Sequence, residues 1–305
     1  MSILKQIKQN ITKSHMFNAI TARLHYDKRR KEFKKLIGKE INKYLNMPIE
    51  SETELFSDYV WVCWWQGEKD MSPLVKECYK RICTYNSDKT IVLITDENLK
   101  EYVSFPDYIL EKYRKGIITR THFSDLLRTE LLCKYGGVWM DITILTHSGI
   151  PKEFYEYSVY TGRLIHNMHD YNVSHSRWSS FFWVSRYPNN ILFQYLSEFW
   201  RIYWKKYDEL IEYFLIDYAI DFGYRNIPAV KCELDAVPVN SCGEDLWCLL
   251  KMLADDFDIN ILNSIEKKNW MQKLSYKGEN KIQEKSKNPE NSMYKRLFLD
   301  DKMEC

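Results

Sequence analysis

The run Thr121–Leu145, THFSDLLRTELLCKYGGVWMDITIL, constrains the fold more tightly than any other stretch of this 305-residue chain. Leu126, Leu127, Leu131 and Leu132 recur at helical spacing. Lys134 followed by Gly136 and Gly137 predicts a helix stop, because glycine enters the left-handed conformation that closes a last turn. Val138 to Leu145 then alternates as a strand does, with Val138, Met140, Ile142 and Ile144 on one face and Trp139, Asp141 and Thr143 on the other. Asp125 and Arg128 are three residues apart and therefore neighbours on the helix. Asp141 falls late in the strand, and open α/β sheets bind ligands at the carboxyl ends of their strands. Taken singly, an Asp–Arg pair is an ordinary surface ion pair and a strand-ending Asp is ordinary punctuation. Packed into one short unit, they predict a site.

The flanking chain supports an α/β architecture. Asp58–Gly67 (DYVWVCWWQG) reads as a first buried strand ending in a glycine turn, Pro73–Tyr85 as a helix and Thr90–Thr95 as a second strand. The order β-α-β predicts a parallel sheet. Gly67 lacks the rest of a dinucleotide fingerprint, so a nicotinamide site has no support. Leu99–Lys115 reads as short helices, Tyr157–Arg163 and Trp178–Val184 as strands, and Asn190–Trp204 and Asp208–Phe222 as amphipathic helices. Ile227–Pro238 reads as irregular and Asn240–Leu253 as helical. Asp217 and Asp221 lie one turn apart, as an acid/base pair would, although such acids are more often solvated or capping. His166, His169 and His175 crowd together, but their spacing fits no single helix face and no H-E-x-x-H pattern occurs. An acceptor-side loop is the expectation there, rather than a zinc site.

Hydrophobic residues at 45% and aromatics at 15% supply a substantial core. The net charge of +2 hides an asymmetry: residues 1–50 carry 12 Lys/Arg against 4 Asp/Glu, and the remainder is mildly acidic. Residues 1–50 therefore read as a basic helical extension, with Ile3, Ile7, Ile11, Phe33, Leu36, Ile37 and Ile41 at helical spacing. Such a helix either lies on an anionic membrane surface or packs its apolar stripe on the body. Nucleic acid is disfavoured, because the body is acidic and no recognition motif follows. Pro48 and Glu50–Glu54 read as a linker, residues 51–277 as the main domain and residues 278–305 as a polar tail. None of the eight cysteines forms C-x-x-C, which predicts reduced, buried thiols. Neither a signal peptide nor a membrane-length apolar run is evident, so a cytoplasmic placement is expected, with peripheral contact at the inner membrane face left open.

The stretch SDLLRTELLCKYGGVWMDITIL resembles the core motif of the capsular polysaccharide synthesis proteins, relatives of the DXD-sugar-containing glycosyltransferases with a GT-A fold. The resemblance runs from about Val60 to Lys277. Trp64, Trp65 and Gln66 match the family's W-W-Q-G segment beside the nucleotide, Arg120, His122 and Ser124 match the approach to its S-D-x-x-R helix, and Lys273 and Lys277 match its closing K-L-[ST]-Y-K motif. The resemblance implies a GT-A type, Rossmann-like mixed sheet flanked by helices. It also implies hexosyl transfer from a nucleotide-sugar, with UDP the expected nucleotide, to a saccharide or lipid-linked oligosaccharide, with retention. Donor contacts would fall to Trp64, Trp65, Gln66, Arg120, Asp125, Arg128, Asp141, Lys273 and Lys277, and Asp141 and Asp217 would be the catalytic candidates. Mn²⁺ or Mg²⁺ would sit on Asp141 and Thr143. Here the second acid of D-x-D is Thr143, a weaker and uncharged ligand, which puts metal dependence in question. Two other readings stay open: a non-catalytic subunit of a polysaccharide assembly, and a hydrolase pairing Asp141 with Asp217 or Asp221.

Overall fold

A computed structural model describes residues 15–45, 57–165 and 172–300. Strands β1 (Tyr59–Cys63), β2 (Thr90–Ile94), β3 (Gly137–Met140), β5 (Val159–Thr161) and β6 (Phe182–Ser185) form one sheet in the order β2-β1-β3-β6-β5. β1 runs parallel to β2 and to β3, whereas β6 is antiparallel to both β3 and β5. β4 (Ile144–Thr146) and β7 (Met271–Lys273) form a separate antiparallel pair. The expected α/β mixed sheet flanked by helices is present.

Period-two alternation sorts the sheet's residues between two cores. Trp61 lies opposite Trp139, and Trp139 opposite Trp183, so three buried indoles form a row across β1, β3 and β6. They face a layer built from helices α1 (His15–Ile37), α3 (Arg120–Tyr135), α4 (Ile191–Lys206) and α5 (Leu215–Asn226). Val60, Val62, Val138, Met140 and Val184 face the other way, onto Phe154, Val237, Leu246 and Met271. A third cluster joins helix α2 (Pro73–Tyr85) to the β4–β7 pair through Leu74, Cys78, Leu145 and Leu274. α2 begins where Ser72 accepts from the Val75 N–H and a proline occupies the first turn, where its missing N–H costs nothing.

The helix–glycine–strand reading holds with one revision. α3 ends at Tyr135, Gly136 caps it at φ +66° and Gly137 follows at φ +89°. The strand is not continuous to Leu145, because a turn at Asp141–Thr143 separates β3 from β4. The Ile144 N–H donates to the Asp141 carbonyl at 2.9 Å, closing that turn. Apolar alternation runs through it because Ile142 and Ile144 enter two different cores.

Other elements depart further from expectation. Residues 227–238 contain a helix, Pro228–Ala236, and the helix expected over 240–253 shrinks to Cys248–Met252. The helix expected from Asp208 begins only at Leu215. α1 is packed on the body: Phe33 meets Phe199 at 5.1 Å edge-on, and Arg29 and Arg30 pair with Glu212 and Asp221. Residues 278–300, read as a polar tail, fold back on α2, burying Met293, Tyr294 and Leu297. Ile3, Ile7, Ile11, the 48–54 linker, His166 and His169 lie outside the described residues. The seven described cysteines are free thiols, and no described helix is long and apolar enough to cross a membrane.

Candidate active site

β1 and β3 are parallel neighbours, and a cleft of about 440 Å³ opens at their carboxyl ends. Of the residues singled out in the sequence, it collects Trp64, Trp65, Gln66, Arg120, Arg128, Asp141, Thr143, Lys273 and Lys277. These come from four separated stretches, and each is delivered by a specific local structure. Residues 64–66 follow β1, Asp141–Thr143 form the turn after β3, and Arg120 and Arg128 belong to α3. Lys273 is placed by the β4–β7 ladder, where it pairs with Ile144 and the Leu274 N–H donates to the Thr143 carbonyl at 2.9 Å.

Asp141 is the hub. Its Oδ1 accepts from the Trp139 Nε1–H at 3.0 Å, a contact that exists because residues two apart on a strand share a face. Arg128 reaches the same oxygen at 3.4 Å, and Lys273 Nζ lies 3.3 Å from Oδ2. Burial alone would raise this carboxyl. The charges of Lys273 and Arg128, with the Trp139 donor, outweigh it and hold Asp141 below the ordinary carboxylate range.

Arg128 is fixed from several sides. It donates to the Ser180 carbonyl, pairs with Asp125 at 3.3 Å and lies 5.0 Å from the Trp139 ring centroid. Asp125, expected among the donor contacts, is not part of the cleft wall; it sits behind Arg128 and braces it. Burial pushes the Asp125 carboxyl up to about 7, against the pull of Arg128 and with help from Asp217 and Asp141.

The cleft wall holds four cations, Arg120, Arg128, Lys273 and Lys277, against one carboxylate, Asp141. Arg120 pairs with Asp96 at 2.9 Å, but both side chains are about half exposed and solvent screens the pair. Lys277 is exposed at the rim. Aromatic surface completes the wall: Trp64 meets Tyr276 edge-on at 5.2 Å, and Trp247 also lines the cleft. Trp65 is mostly buried, its indole N–H donating to Ser124 at 3.2 Å and its ring packed on Phe123. Trp139, Trp247, Leu250 and Tyr276 line the cleft without having been singled out as site residues. Trp139 was reachable through its shared face with Asp141; Trp247 carries no motif that would have marked it.

The acid pair on α5 divides. Asp217 accepts from the Trp178 indole N–H at 2.8 Å and is not among the residues lining the cleft. Asp221 is buried under three arginines, Arg30, Arg177 and Arg225. Burial would raise its carboxyl, but these charges hold it low, which is the signature of a structural ion cluster. His175 packs edge-on against Tyr26 at 6.0 Å.

A divalent ion on Asp141 and Thr143 finds a poor donor set. Both Asp141 oxygens already face cations or an N–H donor, and the Thr143 hydroxyl accepts from Lys273. Among the described residues there is no group of three His, Cys, Asp or Glu side chains suited to a metal. Mg²⁺ and Mn²⁺ want several hard, negatively charged oxygens, and this turn offers one carboxylate beside two fixed positive charges.

Fold and site together define an α/β protein with a cation-rich, aromatic-walled cleft at its strand ends. The family model of the capsular polysaccharide synthesis protein matches residues 12–297, and the chain belongs to that family. The match takes in α1 and all but the last residue of the carboxyl-terminal helix Met293–Phe298, beyond the Val60–Lys277 span of the motif resemblance. No curated protein matches the sequence. Among solved structures, the PaToxG glycosyltransferase aligns over 89% of this chain and 97% of its own length, at 14% identity and a TM-score of 0.36. That likeness is too low to carry an argument.

Proposed function

We propose that this chain is a glycosyltransferase of capsular or surface polysaccharide synthesis, moving a hexose from a nucleotide-sugar, UDP-linked by the family resemblance, to a saccharide or lipid-linked oligosaccharide. The observation that carries the reading is the cleft wall, with four cations to one carboxylate in a chain whose body is acidic, lined by Trp64, Trp247 and Tyr276. A nucleotide-sugar presents a diphosphate, a base and a sugar. The cations suit the first, and the indole and phenol rings suit stacking with the other two.

In this reading Arg128 and Lys273 meet the diphosphate, Lys277 and Arg120 add charge at the rim, and Trp64 or Tyr276 takes the base. Asp141 orients Arg128 and Lys273 and faces the sugar. Departure of a nucleoside diphosphate builds negative charge, and fixed cations in a part-buried cleft stabilise it more than they would in water. Retention at the anomeric carbon belongs to the proposal on the family resemblance alone. So does a cytoplasmic placement with work at an anionic inner membrane face, which the exposed Arg23, Lys28, Lys31, Lys34 and Lys35 of α1 favour electrostatically.

The test is turnover. Purified protein is offered UDP-, GDP- and CMP-sugars with candidate saccharide acceptors, and nucleotide release and sugar products are followed. Transferred sugar supports the proposal; free sugar as the only product in the presence of acceptors points to hydrolysis. Absence of both binding and release across the panel favours the non-catalytic assembly subunit.

A further inference from the structure

We infer that the Lys273 ammonium is a built-in replacement for the divalent cation at the nucleotide site, so that this chain binds a nucleoside diphosphate without metal. The inference rests on the reading of the cleft as a nucleotide site and specifies its counter-ion. Lys273 Nζ sits between the two groups that a metal would use, 3.3 Å from Asp141 Oδ2 and hydrogen-bonded to the Thr143 hydroxyl.

Its position is built rather than incidental. β7 pairs with β4 in a register that sets Lys273 opposite Ile144, one residue beyond Thr143. The Lys273 N–H donates to the Leu246 carbonyl at 2.6 Å, and the Leu274 N–H to the Thr143 carbonyl at 2.9 Å, so the backbone on both sides of the lysine is anchored. The side chain remains 17% exposed and is part of the cleft wall. An ammonium has three N–H donors, and Asp141 and Thr143 account for two. The Phe181 ring lies 5.6 Å from the ammonium and competes only weakly, so the third donor can turn to a ligand oxygen in the cleft.

Electrostatics argues the same way. Arg128 and Lys273 both lie within 3.4 Å of Asp141. A divalent ion on that carboxylate would stand beside two positive charges, and like charges at such distances repel strongly in a part-buried site. Thr143 fits the scheme: a hydroxyl accepts from an ammonium, where a second aspartate would instead have added charge to hold a metal. Of the cleft cations, Lys273 alone lies against both Asp141 and Thr143, so Lys273 is the cation placed where the metal would be, with Arg128 beside it on Asp141.

The experiment is calorimetric titration of the full chain with UDP, GDP and CDP, with Mn²⁺ present or with EDTA. Mn²⁺ binding is read in parallel by electron paramagnetic resonance. For a nucleotide that binds, the expected result is an affinity that changes less than about twofold on adding EDTA, no stoichiometric Mn²⁺ in the complex, and a loss of about tenfold or more in Lys273→Met. The double variant Lys273→Met/Thr143→Asp, which removes the ammonium and supplies a second carboxylate, is expected to bind Mn²⁺ together with the nucleotide. Wild-type binding that requires Mn²⁺, or tightens tenfold with it, overturns the inference and leaves the nucleotide site standing. Undiminished binding in Lys273→Met also overturns it. No binding of any nucleotide under either condition overturns the inference and the nucleotide reading together.

Discussion

Gly137 sits where α3 hands over to β3, and replacing it with alanine should cost more than the same change at the open Gly116. Its φ of +89° lies in the left-handed half of the map, which costs a residue with a Cβ about 1–2 kcal/mol. A Cβ there would also lie 2.4 Å from the Tyr59 carbonyl oxygen, and 3.1 Å from both Ser57 Oγ and Tyr59 Cβ. The closest atom is backbone of the neighbouring strand, so relief requires β1 and β3 to separate, and overpacking of that kind costs about 1–3 kcal/mol more. Gly137→Ala should therefore lose about 2–5 kcal/mol. Gly116 supplies the control: its φ is +73° and a Cβ there meets nothing within 4 Å, so Gly116→Ala should lose only the conformational part. Urea unfolding followed by circular dichroism gives both values on one scale. β1 and β3 also carry Trp64–Gln66 and Asp141 into one cleft, so Gly137→Ala should weaken nucleotide binding while Gly116→Ala should not. Equal midpoints for the two variants would refute the close-approach argument.

Asp125→Asn tests the brace behind Arg128. The carboxyl is raised to about 7 in the folded chain against about 3.9 unfolded, so the native state holds the extra proton between those values. The wild type should then lose stability relative to Asp125→Asn as pH rises from about 4 to about 7, with no further relative change above; a pH series of urea midpoints that runs parallel for the two proteins would contradict this. Glu279→Ala tests the fold-back of the carboxyl-terminal segment. The Glu279 carboxylate accepts from the Leu74 N–H at 2.9 Å, from Tyr294 Oη at 2.7 Å and from Ser72, so its loss should cost about 2–4 kcal/mol in the same unfolding assay. A loss below about 0.5 kcal/mol would mean that the segment is not held through this contact.

The central unit was readable because two local rules agree there. Leucines at helical spacing followed by paired glycines specify the helix stop, and period two places Trp139 on the same face as Asp141, where the indole N–H then meets the carboxylate. The turn at Asp141–Thr143 was not readable, since Ile142 and Ile144 keep the apolar alternation going while entering different cores. Helix Pro228–Ala236 was missed because its proline falls at the first helical position, where it is tolerated, rather than within a loop. Residues 278–300 look like a tail because few of them are apolar; Met293, Tyr294 and Leu297 with a buried, bonded Glu279 suffice to hold them.

At the site, the stretches singled out by motif converge on one cleft, but not all of their residues line it. Asp125 belongs to the S-D-x-x-R pattern, yet Arg120, Thr121, Ser124 and Arg128 are the α3 residues that line the cleft, and Asp125 bears on it only through its pair with Arg128. Asp217 has the acid character of a catalytic group; it accepts from the Trp178 indole and does not line the cleft. Lys273 is 132 residues from Asp141 in sequence, so its contact with that carboxylate depends on the β4–β7 register, which no local pattern specifies.

The most direct test of the account is nucleotide-sugar turnover in Asp141→Ala beside wild type, with thermal unfolding measured on the same samples. Asp141 gathers Arg128, Trp139 and Lys273 at the end of β3 but belongs to none of the three hydrophobic clusters. Release of nucleotide and transfer of sugar should fall by about a hundredfold or more, as for loss of an electrostatic catalytic group, with a melting temperature within a few degrees of wild type. Turnover that survives the substitution in a folded protein would contradict this expectation and move the chemistry away from this cleft.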